Sequence, residues 1–217
     1  MKPRVLIGCE FSGVVRREFA AQGWDAWSCD LQPAEDGSPN HFQSDIFKVL
    51  NEPYYGDESN WTLGIFHPPC TYLANSQVWR CVRDPERMKL AIEGARFFKR
   101  LWESGLQYLC VENPIMHKYA RQVIAPNFEN PKTIQPWMFG HTEQKATCLW
   151  LRNLPPLVPT NNVKAEMMKL PERERQKMFY MSPGKNRTND RSRTYEGIGK
   201  AMAEQWTKHI FPKGIPQ

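Results

Sequence analysis

Val5-Leu6-Ile7-Gly8-Cys9-Glu10-Phe11-Ser12-Gly13 decides the fold: an apolar run that reads as a buried strand passes directly into a polar turn containing glycine. Ser12 is placed to cap a following helix whose Val15, Phe19 and Ala20 fall near one face, and Gly23 is placed to stop it. Outward from this unit the pattern repeats. Asp25 to Cys29 reads as a second strand ending at Asp30, Asp45-Ile46-Phe47 as a shorter third element, and Leu63-Gly64-Ile65-Phe66 as a fourth strand cut off by His67-Pro68-Pro69-Cys70. Helical spacing runs from Pro85 to Glu103, Gly105 closes it, and Tyr108-Leu109-Cys110-Val111 forms a strand before Glu112-Asn113-Pro114. Thr147 to Leu151 is a last buried strand, and Leu154-Pro155-Pro156-Leu157 marks a boundary. Short apolar runs alternating with amphipathic ones predict an α/β fold, a mostly parallel sheet with helices on both faces.

Beyond Pro159 the chain turns polar and basic, with a short helix predicted near Glu172 to Met178, a mobile run from Ser182 to Arg193, and a final helix from about Gly197 to Trp206. The net charge of +6 is unevenly spread. Residues 164–193 hold nine Lys/Arg against four Asp/Glu, and residues 78–100 hold seven against three, leaving the remainder slightly acidic. Either segment alone is compatible with a solvated helix face; two on a near-neutral body suggest a polyanionic partner. Six cysteines without a C-x-x-C pair predict reduced thiols, with neither a zinc site nor a disulfide framework. No apolar stretch approaches 18 residues and no signal-peptide pattern stands at the start, so an untargeted cytoplasmic chain, most simply a monomer, is expected.

In open α/β sheets the ligand crevice lies outside the carboxyl ends of the strands. The residues there are Glu10-Phe11-Ser12-Gly13, Asp30, Asp45, Pro69-Cys70 and Glu112-Asn113: a tight turn, two carboxylates suited to a nucleoside, a thiol and a further carboxylate. Each has an ordinary reading. A cysteine is often a small buried hydrophobe, Asp30 and Asp45 suit turns and caps, Glu112 suits a strand end, and His67 reads as structural because no second ligand stands at metal spacing. Prolines that fix the backbone before Cys70 at the crevice turn the reading of this thiol toward function.

The order and spacing of these residues resemble the DNA cytosine-C5 methyltransferases, whose F-x-G turn, acidic residue after strand two, aspartate near strand three, Pro-Cys loop and Glu-Asn pair recur in this order. The resemblance covers about the first 150 residues and is carried by Pro69-Cys70 with Val111-Glu112-Asn113. Tyr195-Glu196-Gly197-Ile198-Gly199-Lys200-Ala201-Met202-Ala203 is similar to the family's last motif, whose helix returns to the cofactor side. The chain resembles the compact variants of bacteriophages, which would place it in the cytoplasm of a bacterial host. Departures stand beside the likeness. Val15 and Arg16 replace the later glycines of the cofactor loop, Pro114 follows Glu112-Asn113, and Gln144-Lys145-Ala146-Thr147 lacks the two arginines of the Q-x-R-x-R region. About 40 residues separate Leu157 from the last motif, too few for a large target-recognition domain.

The resemblance implies a Rossmann-like S-adenosylmethionine-dependent methyltransferase fold with a catalytic domain over residues 1–157, a basic nucleic-acid-contacting segment over 158–194 and a returning helix over 195–217. Cys70 is implied as the nucleophile, Glu112 as an acid whose pKa a closed pocket raises, Asn113 as its positioner and Lys145 as a contact to the base or its phosphate. Glu10, Phe11, Ser12, Gly13, Asp30, Leu31, Asp45, Ile46, Pro68, Pro69 and Gly199 are implied around S-adenosylmethionine, with Gly13 admitting it closely. Arg80, Arg83, Arg87, Lys185, Arg187, Arg191 and Arg193 are expected to contact DNA phosphates. The rivals are an amino-methyltransferase, suggested by Pro68-Pro69, an RNA cytosine methyltransferase, and an idle nucleic-acid-binding module. A modified donor is a further alternative.

Overall fold

The computed structural model describes residues 2–51, 61–124, 130–184 and 187–216. Its strands are β1 (Arg4–Gly8), β2 (Asp25–Asp30), β3 (His41–Gln43), β4 (Leu63–Phe66), β5 (Tyr108–Pro114), β6 (Lys132–Ile134) and β7 (Thr147–Arg152). The helices are α1 (Val14–Ala21), α2 (Ile46–Asn51), α3 (Val78–Arg83), α4 (Pro85–Trp102), α5 (Lys118–Ile124), α6 (Lys164–Lys169), α7 (Glu172–Arg175), α8 (Lys177–Tyr180), α9 (Arg187–Ser192) and α10 (Glu196–Ile210). The strand order is β3-β2-β1-β4-β5-β7-β6. Neighbours from β3 to β5 pair in parallel, and β7 runs antiparallel to both β5 and β6. This is a Rossmann-like, doubly wound sheet, and the winding reverses between β1 and β4, where such sheets open their crevice.

Strand side chains alternate between two cores, because successive residues of a pleated strand face opposite ways. Val5, Ile7, Leu63, Ile65 and Leu149 pack with Val15 and Phe19 of α1 and with Ile198, Ala201, Met202 and Trp206 of α10. Leu6, Phe66, Leu109, Val111 and Trp150 face the other way, onto Ile46 of α2, Phe98 and Leu101 of α4, and Ala120 and Ile124 of α5. Burial on both faces explains why these strands read as continuous apolar runs.

Several local expectations change. The third strand is β3, and Asp45 starts a helix instead, its Oδ1 accepting from the Phe47 N–H at 2.8 Å. Glu112-Asn113-Pro114 does not follow the strand but continues it, because β7 pairs Glu112 with Leu149 and Asn113 with Cys148. β6 lies in a stretch expected to be irregular. The single helix near Glu172 is two short turns, α7 and α8, and α9 occupies part of the run expected to be mobile. Leu154 and Leu157 of the expected boundary pack into the first core beside Trp206, whose Nε1 donates to the Pro155 carbonyl at 3.0 Å. No described helix is long and apolar enough to cross a membrane.

Trp206 has no exposed surface and joins α10 to both α1 and the chain after β7. Trp206→Ala is expected to lower unfolding free energy by about 3–5 kcal/mol, measured by urea denaturation followed by circular dichroism.

Candidate functional site

The turn after β1 is built around Glu10. Its carboxylate is buried and accepts from the backbone N–H of Val15 at 2.7 Å and of Arg16 at 3.4 Å, so it caps α1. Ser12, expected as the cap, is displaced from that role: its hydroxyl lies 3.5 Å from the Val14 N–H, at the limit of a hydrogen bond, and Gly13 is the N-cap residue. Gly13 holds φ 67°, and a Cβ there would lie 2.5 Å from the Arg16 guanidinium and 2.8 Å from the Asp36 carboxylate. The space expected to admit a ligand on that side is therefore filled by an ion pair of the protein. Arg16 also donates to Ser28 Oγ at 3.1 Å and Ser38 Oγ at 2.8 Å, so the residue standing where the family has glycine ties α1 to β2 and the loop beyond. Burial pushes the Glu10 carboxyl above its ordinary value, against His67, the two backbone donors and Arg16.

At the ends of β2 and β3 the two carboxylates meet one floor. After burial, Asp30 and Asp45 both push the thiols of Cys9 and Cys29 upward, that of Cys29 to about 12. Asp30 Oδ1 accepts from the Gln32 N–H at 2.9 Å, Leu31 beside it is 74% exposed, and Ile46 is buried under Gly8. Phe11 is buried, and its carbonyl accepts from the Glu35 N–H at 2.9 Å. Gly199 packs α10 against the start of α1: a Cβ there would touch Val14 and Glu18.

The ends of β4 and β5 are fastened together. The Asn113 carboxamide, buried in β5, donates to the Pro68 carbonyl at 2.9 Å. The His67 N–H donates to the Gly8 carbonyl at 3.0 Å, tying the same loop to β1. Pro68 is buried, Pro69 is exposed, and Cys70 follows as the exposed thiol among six free cysteines. The Cys70 carbonyl accepts from the Leu73 and Ala74 N–H groups, which turns the chain directly after this residue. Glu112 lies behind it, with Oε2 at 3.2 Å from His67 Nδ1. Burial first and Glu112 second push the Cys70 thiol up; Lys145 and Arg191 pull it down.

The expectation of a raised Glu112 is overturned. Burial does act upward, but the His67 hydrogen bond, the His67 charge and Lys145 together hold the carboxyl below its ordinary value. Cys70, Glu112, Asn113 and Lys145, read separately in the sequence, thus come together. The residue the sequence reading missed is His67, since neither its spacing nor its neighbours reveal a partner 45 positions away.

The expected phosphate contacts divide. Arg80 and Arg83 are exposed on α3 and flank exposed Trp79, with guanidinium carbons 5.4 and 5.2 Å from its ring. Arg87 is half-buried and engaged, donating to Gln77 Oε1 at 3.3 Å above the Tyr72 ring. Arg193 grips Glu35 through both guanidinium nitrogens and so acts as a tether in this structure. Arg187 donates to the Met181 carbonyl at 2.9 Å, and the Arg191 side chain is exposed while its carbonyl accepts from Lys145 Nζ at 2.8 Å. Lys185 lies outside the described residues. With Asn189 donating to Gln32 Oε1 at 3.1 Å and the Arg191 carbonyl accepting from Lys145, α9 forms a strap from the loop after β2 to Lys145. Among the described residues, no three His, Cys, Asp or Glu side chains are grouped to hold a metal.

No family model matches this chain, and no curated protein matches it. Among solved structures it is similar to an E. coli prophage-encoded protein assigned as a DNA modification methyltransferase, with 16% identity and a TM-score of 0.44. That likeness covers 69% of this chain and 46% of the other, so this chain spans under half of its neighbour's length.

Because Glu112 raises the Cys70 thiol, Glu112→Gln is expected to shift alkylation of Cys70 by iodoacetamide to lower pH. At pH 7.5 the rate should rise, whereas Lys145→Met should slow it. Peptide mass spectrometry of the alkylated thiol measures both.

Proposed function

We propose that this protein is an S-adenosylmethionine-dependent DNA methyltransferase that modifies carbon-5 of cytosine, with Cys70 adding covalently to carbon-6. The observation that carries this reading is the exposed Cys70 thiol at the end of a central strand, with the Glu112 carboxylate of the next strand acting on it.

The crevice offers the chemistry a nucleoside cofactor needs. Asp30 and Asp45 are acceptors for ribose hydroxyls and an adenine amine, with Leu31 and Phe11 as apolar flanks and Pro68-Pro69 bordering the reacting end. The turn from Glu10 to Gly13 supports this site from below, through the α1 cap rather than through open space at glycine. When bound, the cofactor supplies an electrophilic methyl group.

The remaining work belongs to the chain. Carbon-5 of cytosine is a weak nucleophile until a thiolate adds at carbon-6 and drives electron density through the ring toward N3. Cys70 does this, with Lys145 and Arg191 favouring its thiolate form. Glu112, ionised in the free protein, accepts from the exocyclic amine and stands beside N3, which it can engage only once it carries a proton, while Asn113 donates to the Pro68 carbonyl and so holds the loop carrying Cys70. A duplex base must leave the stack to reach the thiol, at a cost of a few kcal/mol. Arg80 and Arg83 on α3, immediately beyond the Cys70 loop, are exposed cations suited to hold phosphates, with Trp79 beside them as a stacking surface. With so short a segment outside the sheet, a recognised site of about two base pairs is expected.

DNA containing 5-fluorocytosine tests the mechanism, because fluorine at carbon-5 cannot leave as a proton does. Incubation with S-adenosylmethionine should give a protein–DNA adduct that survives denaturing electrophoresis and is absent in Cys70→Ser. Nucleoside mass spectrometry showing methyl on the exocyclic nitrogen, or an adduct persisting in Cys70→Ser, would overturn it.

A further inference from the structure

His67 stands outside the roles assigned above, yet its surroundings are unusual. Its side chain is only 7% exposed. Nδ1 faces Glu112 Oε2 at 3.2 Å, and Nε2 is buried without a hydrogen-bond partner among the described residues. The charge of the ring also acts on Glu10, a buried carboxylate for which His67 is the foremost influence opposing the effect of burial. The imidazole is therefore hydrogen-bonded to Glu112 of β5 and electrostatically linked to Glu10 in the turn after β1. One group further out, Lys145 acts on Glu112, Arg16 on Glu10, and Lys145 and Arg191 on Cys70, the near neighbour of His67 in its own loop. Main-chain hydrogen bonding to Gly8 and the Asn113–Pro68 bond fix the backbone on both sides of the ring.

Addition of a thiolate at carbon-6 places electron density on N3, which must take a proton as the adduct forms. A carboxylate held ionised brings no proton of its own. Imidazole is the side chain that exchanges protons near neutral pH. We propose that His67 is a positioning residue that aims Glu112 at the base and supplies, through it, the proton taken up by N3. The inference rests on the cytosine-C5 reading and deepens it.

The step balances. His67 begins with protons on both nitrogens, and Glu112 begins ionised. As the Cys70 sulfur bonds to carbon-6, the carbon-5–carbon-6 π pair shifts toward N3. N3 takes a proton from Glu112, and Glu112 takes one from His67 Nδ1. The charge of the thiolate and that of the imidazolium are both consumed, and Glu112 ends ionised as it began. When the carbon–sulfur bond breaks, the proton returns along the same path.

The test needs no cofactor, because addition at carbon-6 with protonation at N3 makes carbon-5 exchange its hydrogen with water. Release of tritium from DNA carrying 5-tritiated cytosine is followed against pH for the wild type, His67→Asn and His67→Ala, with DNA affinity measured separately by fluorescence anisotropy. Asn keeps a donor N–H where Nδ1 stands but cannot pass on a proton. The wild type should show a bell, because release needs the Cys70 thiolate and a proton for N3 at the same time. In His67→Asn the alkaline fall should vanish and the maximum rate should drop on the order of tenfold to a hundredfold, with DNA affinity within about twofold. A His67→Asn protein as fast as the wild type, with the same bell, would overturn the proposal even if His67→Ala fails to fold. A wild type that binds DNA but neither releases tritium nor forms the 5-fluorocytosine adduct would instead overturn the cytosine reading beneath it.

Discussion

A buried side-chain hydrogen bond, from the Asn113 carboxamide to the Pro68 carbonyl, ties β5 to the loop that carries Cys70. It acts with the β4–β5 ladder, the bond from the His67 N–H to the Gly8 carbonyl and the His67–Glu112 contact to hold that loop and Glu112 in one arrangement. The Asn113 bond is possible because β5 does not end at Val111: the antiparallel β7 pairs with Asn113 and holds its backbone extended. A strand that runs against the rest of the sheet thus helps to place the Cys70 loop relative to Glu112. A buried amide that lost its acceptor would carry a desolvation penalty of about 1–3 kcal/mol, so the register is energetically enforced.

Around this joint, charge is arranged in alternation: Glu10, His67, Glu112 and Lys145 form a chain of opposite neighbours, with Cys70 at its open end. Each carboxylate is partly or fully buried, and each would be costly there alone. The helix cap at Glu10 and the imidazole at Glu112 offset that cost. The same contacts decide the chemistry. Glu112 stays ionised because His67 and Lys145 outweigh burial, which transfers the question of proton supply from the carboxylate to its partner.

The C-terminal region contributes in two ways. Helix α10 is part of the body, since Ile198, Ala201, Met202 and Trp206 complete the core against α1. The strap of α9 is fastened at Gln32, Glu35 and Lys145. Its basic residues are divided between holding the protein together, as Arg193 does, and facing solvent, as the Arg191 side chain does. Net charge along a segment does not distinguish these uses, because an ion pair across 158 positions leaves no mark on local composition.

What the sequence determined by itself was the alternation of buried strands and helices, and the residues that follow each strand. Val5 to Gly8, Asp25 to Asp30, Leu63 to Phe66 and Thr147 to Leu151 are recognisable because burial on both sheet faces demands apolar runs, and prolines and glycines end them. Cys70 was legible for the same local reason, two prolines at a strand end. Short elements such as β3 and β6 were not, because three residues acquire strand geometry only from the neighbour they pair with. The roles of Glu10, Gly13, Arg16 and His67 were decided by tertiary structure alone. A carboxylate becomes a helix cap, a guanidinium fills a glycine's space, and a histidine sets the ionisation of a glutamate only when folding brings their atoms within hydrogen-bonding distance. No spacing along the chain encodes those distances.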